Sequence, residues 1–228
     1  MMYVYSFYKF IELDNLSKLR NAIYKRLDKL NIKGTILVSH EGINVNISQE
    51  KGILESACSE INNLINMKNI FINKHVSNGI AFEKLKVKIK DEIIKFNAPL
   101  TSINSKELQT VTPEFWDELL KEDIQLIDMR NDFEYSLGTF DNAINLKLIN
   151  FTDLKERNSI LNKLDKHKDT AIFCTGGIRC EKAGRYLKDL GFDKVYQLKG
   201  GIVNYLKNNK NRWTGDCFVF DDRILIKN

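Results

Sequence analysis

Residues 173–183 read Phe173-Cys174-Thr175-Gly176-Gly177-Ile178-Arg179-Cys180-Glu181-Lys182-Ala183. The apolar run before them, Thr170–Phe173, reads as a buried strand, and residues 180–190 read as a helix. A strand, a Gly-rich loop and a helix in that order place a site beyond the carboxyl end of the strand, where open α/β sheets bind ligands. Gly176 and Gly177, with Thr175 and Ile178 beside them, let the loop backbone curl so that its N–H groups converge on one point, an anion nest. The helix N-terminus adds partial positive charge, and Arg179 adds a full one. All three favour the thiolate of Cys174, the nucleophilic form. The segment therefore reads as a centre for covalent cysteine chemistry rather than as a structural cysteine beside a turn.

Outward from this loop, strand and helix patterns alternate. Thr112-Pro113 opens a helix, with Thr112 as N-cap and Pro113 at the first helical position. Ile124–Met129 and Ala143–Leu146 read as strands, 152–166 as a helix, Val195–Leu198 as a strand and 201–208 as a last helix. Alternation of this kind implies a parallel sheet with right-handed crossovers, hence an α/β domain over 113–210 followed by a tail, 211–228. Asp128 and Arg130 fall at the end of a strand on the same sheet edge as Cys174 and read as braces for the loop. Arg179 either orients the loop or holds an anionic group, or else pairs structurally with a carboxylate such as Asp128 or Glu134. Cys180, six residues after Cys174, is either a resolving thiol or a cysteine packed beneath the loop.

The first 98 residues differ in kind. Their pattern is β-α-β-β-α-β, the order of a ferredoxin-like α+β fold, with strands at 2–8, Thr35–Val38, Ile43–Ile47 and Ile70–Ile72. Helical stripes lie between, from Leu16 to Leu30 and over 50–66. Leu85, Val87 and Ile89 then alternate with Lys84, Lys86, Lys88 and Lys90, so a strand here puts four ammonium groups on one face. That row is either a phosphate-facing ridge or the lysine protection of an edge strand. Residues 1–98 carry 15 basic and 10 acidic side chains, whereas 99–228 carry 20 of each. A net charge of +5 confined to one half suggests an anionic partner, nucleic acid foremost. Pro99 and the polar run Thr101–Thr112 read as a linker, 99–112.

The remaining composition mostly excludes. With 43% apolar and 29% charged residues the chain reads as folded and soluble. No run approaches 18 apolar residues, so no membrane partner is expected, and the N-terminus lacks the pattern of a signal peptide. Four scattered cysteines, Cys58, Cys174, Cys180 and Cys217, do not make a disulfide framework. A reducing cytoplasm is expected, with no metal site and no nucleotide cofactor, since no Gly-x-Gly-x-x-Gly fingerprint occurs.

Taken together, Cys174–Arg179, the upstream Asp128-Met129-Arg130-Asn131 and Glu134, and the downstream Gly200-Gly201 resemble a rhodanese domain. The Cys-x4-Arg loop is the rhodanese size, one residue shorter than the loop of the related dual-specificity phosphatases. Further stretches make the resemblance more specific. Lys33-Gly34-Thr35-Ile36-Leu37-Val38-Ser39-His40-Glu41-Gly42-Ile43-Asn44, Lys86–Lys90, Cys174–Lys182 and Gly215-Asp216-Cys217-Phe218-Val219-Phe220-Asp221 all resemble the oxygen-dependent tRNA uridine hydroxylases (the TrhO family). The resemblance covers nearly the whole chain in order. It implies an oxidoreductase that converts the wobble uridine of tRNA to 5-hydroxyuridine. Cys174 would be the catalytic residue, molecular oxygen the co-substrate, the tRNA anticodon loop the partner, and the electron donor is unspecified. The Glu41–Asn44 turn would contact tRNA or the other domain. Many relatives continue into a cysteine-rich C-terminal region; this chain ends at Asn228. A rhodanese-type sulfurtransferase is the alternative, and it needs only the second domain.

Overall fold

The computed structural model describes residues 1–77, 79–98, 108–207 and 212–227, the side chains of 157–159 excepted. The chain divides into two compact units, one of Met1–Lys95 with Phe220–Ile224, the other of Phe96–Val219 with Leu225–Asn228.

The first unit runs β1 (Met2–Phe10), α1 (Leu16–Lys29), β2 (Lys33–Ser39), β3 (Gly42–Glu50), α2 (Lys51–Ile65), β4 (Asn73–Ser77) and β5 (Leu85–Ile89). Its sheet order is β4-β1-β3-β2-β5. The first four strands are joined antiparallel, and β5 adds to the edge of β2 in parallel. Strand alternation sends Tyr5, Phe7, Ile36, Val38, Val45, Ile47 and Val87 to one face. There they meet Ile23 and Leu27 of α1 and Leu54, Ala57 and Ile61 of α2 in one buried core. The strand expected at Ile70–Ile72 lies later, at Asn73–Ser77. Asn66 and Asn69 both take left-handed conformations after α2, which asparagine tolerates, and pairing with β1 begins only at Asn73 opposite Ser6.

The second unit contains β6 (Gln109–Val111), α3 (Pro113–Leu119), β7 (Gln125–Asp128), α4 (Asp132–Leu137), β8 (Gly138–Phe140), β9 (Ile144–Asn145), α5 (Asn158–Leu161), β10 (Thr170–Phe173), α6 (Ile178–Asp189), β11 (Val195–Leu198) and α7 (Gly201–Tyr205). The short strands β12 (Trp213–Gly215), β13 (Cys217–Phe218) and β14 (Leu225–Ile226) complete it. Its main sheet, β6-β11-β10-β7-β9, is parallel throughout. Thr112 caps α3, its hydroxyl accepting the Phe115 N–H at 3.4 Å. Beneath the sheet Phe140 meets Phe173, Tyr205 and Trp213 edge to face, with ring centroids 4.7–5.1 Å apart, a favoured aromatic geometry.

Two expectations change here. Residues 99–107 of the expected linker lie outside the described residues, but Gln109–Val111 within it is the edge strand β6, beside β11. The expected helix over 152–166 is a 3₁₀ helix, Phe151–Arg157, followed by one α-helical turn, α5. Phe151 and Leu154 are both buried, and their spacing of three suits a 3₁₀ turn.

Candidate active site

Strand β10 lies inside the parallel sheet with all four residues buried, and Cys174 follows at its carboxyl end, wholly shielded from solvent. The loop Thr175–Gly177 leads into α6, with Gly177 at its N-cap. Gly177, at φ 96°, directs its N–H to the Cys174 Sγ at 3.2 Å. Cys180 lies close by, its N–H bound to the Gly177 carbonyl at 3.1 Å. Burial, the largest influence on the Cys174 thiol, pushes its pKa up. Cys180, the Arg179 charge and the Gly177 N–H outweigh it and bring the pKa down to about 6. Cys174 is therefore mainly thiolate at neutral pH. Cys180 shifts the other way: burial first, then the neighbouring Cys174, hold it well above the usual thiol range. Cys180 therefore stays a thiol where Cys174 is a thiolate.

Arg179 is held by Glu134. Its Nη1 donates to Glu134 Oε2 at 2.7 Å and its Nη2 to Oε1 at 2.8 Å. The Thr175 hydroxyl accepts from Arg179 Nη2 at 3.0 Å and donates to Glu134 Oε1 at 3.2 Å. The Asn131 N–H adds a further bond to Glu134 Oε2 at 3.1 Å. Burial alone would raise the Glu134 carboxyl, but the Arg179 bonds and charge hold it below the usual carboxylate range. Of the two roles the sequence leaves open for Arg179, the structure shows the carboxylate pair, with Glu134 and not Asp128.

Asp128 has its own partner. Arg130 forks onto it, Nε to Oδ1 at 2.9 Å and Nη2 to Oδ2 at 2.6 Å, and Thr139 donates to Oδ2 at 3.1 Å. The same Arg130 Nη2 reaches the Gly138 carbonyl at 2.6 Å, and the guanidinium lies over the Phe173 and Trp213 rings. The pair thus fixes the ends of β7 and β8 beside the strand that carries Cys174.

Three supports carry no signal in composition or periodicity. The first two backbone N–H groups beyond Gly201, those of Ile202 and Val203, bind the carbonyls of Cys174 and Thr175, each at 3.0 Å. The approach is so close that a Cβ on Gly201 (φ 66°) would overlap both carbonyl oxygens, with Thr175 O at 2.6 Å; only glycine fits. The third is Cys217 on β13, fully buried. Burial pushes its thiol up to about 12, and it lies in the field of Arg130, Glu134, Asp128 and Arg179. Among the described residues no cluster of His, Cys, Asp and Glu suited to a metal ion occurs.

The lysine row belongs to the first unit. Lys84, Lys86, Lys88 and Lys90 are exposed on and beside β5, while Val87 between them is in the core. None of the four is in an ion pair among the described residues. The Glu41-Gly42-Ile43-Asn44 turn is tied to backbone of its own unit. Glu41 Oε1 accepts the Ile93 N–H at 2.8 Å and Asn44 Nδ2 donates to the Ile93 carbonyl at 3.2 Å. His40 Nδ1 lies 2.9 Å from the Leu13 carbonyl. No helix among the described residues is long and apolar enough to cross a membrane.

Residues 2–93 match the family described as UPF0176 acylphosphatase like domain, and residues 111–208 match the Rhodanese-like domain family. A rhodanese-related protein from Thermoplasma volcanium, of known structure, is 26% identical with a TM-score of 0.38, covering 45% of this chain and 95% of that one. Relatives named tRNA uridine(34) hydroxylase match through both units. The one from Legionella pneumophila strain Lens is 37% identical over 97% of this chain and 89% of its own length. The one from the Wolbachia of Culex pipiens is 37% identical over 97% and 79%. The protein from Pelagibacter ubique is 43% identical over 100% of this chain and 76% of its own length. A thiolate loop on a rhodanese sheet, preceded by the acylphosphatase-like unit and matched end to end at such identity, makes this chain a member of the tRNA uridine(34) hydroxylase family.

Proposed function

We propose that this protein hydroxylates C5 of the wobble uridine, position 34 of tRNA, with molecular oxygen as co-substrate. The observation that carries the reading is the Cys174 thiolate, held by the Gly177 N–H in a chain that matches the hydroxylases through both units. Uracil C5 is not nucleophilic enough to meet an oxygen species unaided. Addition of the Cys174 thiolate to C6 makes C5 electron-rich, as an enolate carbon. Once oxygen is bonded to C5, loss of the C5 proton and of the C6 thiolate restores the ring and frees the enzyme. Cys174 is thus the nucleophile, and Arg179 supports its charge from within its pair with Glu134. Because Cys174 is fully covered, the loop opens around it when a base enters.

The uridine comes from the anticodon loop, where bases are already unstacked and can be splayed into a protein site. The basic first unit supplies phosphate contacts through Lys84, Lys86, Lys88 and Lys90, and the reading carries with it a cytoplasmic location. A sulfurtransferase reading leaves that unit and its match to the hydroxylases without a role.

The test is direct. Purified protein and an unmodified tRNA transcript are incubated with a thiol reductant under 18O-labelled dioxygen, and nucleosides are analysed by mass spectrometry. The reading predicts 5-hydroxyuridine carrying one heavy oxygen. Product with unlabelled oxygen, or thiosulfate-to-cyanide turnover without product, contradicts it.

A further inference from the structure

We propose that Cys180 is the second redox thiol of this site: the Cys174–Cys180 pair closes into a disulfide and supplies the two electrons that hydroxylation with dioxygen requires. The inference rests on the hydroxylase reading above and identifies its electron donor.

The two cysteines are tied to the same loop glycine. Cys174 ends β10 and Cys180 is the third residue of α6, with the loop curled between them. Gly177 ties both down: its N–H binds the Cys174 sulfur at 3.2 Å, and its carbonyl accepts the Cys180 N–H at 3.1 Å. The two side chains lie near enough to act on each other's charge: Cys180 favours the thiolate of Cys174, and Cys174 disfavours that of Cys180. Both residues are fully shielded from solvent. A disulfide requires the sulfurs to come within about 2.05 Å. Two consecutive glycines in the intervening loop, with open space around Gly176, leave the backbone free to close that gap.

The stoichiometry balances. Uridine C5–H, one O2 and two thiols give C5–OH, one disulfide and one water. Dioxygen takes up four electrons, two from the C5–H bond and two from the thiols. In steps, the C5 carbon of the Cys174 adduct takes up O2 as a hydroperoxide. The Cys180 sulfur takes the distal oxygen, which leaves C5–OH and a sulfenic acid on Cys180. Cys174, expelled from C6 as thiolate, attacks that sulfur; the disulfide forms and hydroxide leaves as water. An external dithiol restores both thiols by exchange.

The experiment uses the full chain, reduced and then freed of reductant. It is mixed with excess tRNA transcript in air-saturated buffer, and 5-hydroxyuridine is counted per enzyme. The protein is alkylated and digested with trypsin without reduction. Cleavage after Lys168, Arg179 and Lys182 puts Cys174 on Asp169–Arg179 and Cys180 on Cys180–Lys182, so the disulfide appears as these two peptides cross-linked. The expected result is a burst of about one product per chain, one cross-link per product, and resumed turnover when dithiothreitol is added. Product formed while both thiols remain alkylatable overturns the proposal and leaves the hydroxylase reading standing. No product even with dithiothreitol overturns that reading, and this inference with it. Cys180→Ser, which keeps a hydrogen-bond donor, is expected to lower the burst at least tenfold; a wild-type burst from it overturns the proposal. If that variant does not fold, the wild-type cross-link count alone decides.

Discussion

Arg179 meets Glu134 fork to fork, Nη1 to Oε2 at 2.7 Å and Nη2 to Oε1 at 2.8 Å, with both side chains out of solvent. The guanidinium is committed to the carboxylate and acts on Cys174 through its charge. Because the carboxylate comes from α4 and the arginine from α6, the pair also locks two helices around the loop.

Breaking one side of a buried pair costs more than the pair contributes, since the other charge stays uncompensated. Glu134→Gln is therefore expected to destabilise the protein by about 3–5 kcal/mol, measured by urea unfolding. Arg179→Lys keeps the charge but cannot form the fork, so it too should lose stability and slow Cys174 alkylation. Equal urea midpoints for wild type and Glu134→Gln would contradict this role.

With its folded-state pKa at about 6, Cys174 should alkylate with iodoacetamide along a titration centred near that value, two or more pH units below an ordinary thiol. Cys174→Ser removes the low-pH phase. The same depression links to stability. The folded state favours the thiolate, so the contribution is complete above the unfolded thiol pKa and is lost as pH falls through about 6. A reactive phase centred at 8 or above contradicts the geometry described.

Gly201→Ala adds a Cβ against the carbonyls of Cys174 and Thr175 at a backbone conformation foreign to alanine. We expect a loss of about 1–3 kcal/mol and a shift of the Cys174 titration toward higher pH as the loop is pushed away. A mere loss of stability with unchanged titration indicates that α7 supports the fold and not the thiolate.

Replacing Lys84, Lys86, Lys88 and Lys90 by serine should weaken tRNA binding and flatten its salt dependence. Each phosphate no longer neutralised takes about 0.7 from the slope of log K against log salt on single-stranded RNA. An unchanged slope assigns the row to edge protection instead.

Much of this was legible in the sequence because local signals agreed. The Phe173–Ala183 run carries strand, turn and helix start in eleven residues, and the structure keeps that order. The β-α-β-β-α-β pattern of the first unit likewise follows from its alternations. What escaped was set by tertiary geometry. Gln109–Val111 has no apolar run, and it is a strand only because β11 offers it an edge. The strand expected at Ile70–Ile72 was displaced by two asparagines that bend the chain. Asp128 and Glu134 are both carboxylates near strand β7, and spacing alone does not say which one Arg179 takes. Cys217 joins the surroundings of the site from more than forty residues away; the Gly215–Asp221 stretch marks it by resemblance, but its spacing does not say that it lies near Cys174.

The most direct test of the central claim is nucleoside mass spectrometry of tRNA from cells of the source organism lacking this protein, complemented with wild type or with Cys174→Ser. We predict that 5-hydroxyuridine and its derivatives disappear in the deletion strain, return with wild type and stay absent with Cys174→Ser. Unchanged 5-hydroxyuridine in the deletion strain, or full recovery with Cys174→Ser, would contradict the account.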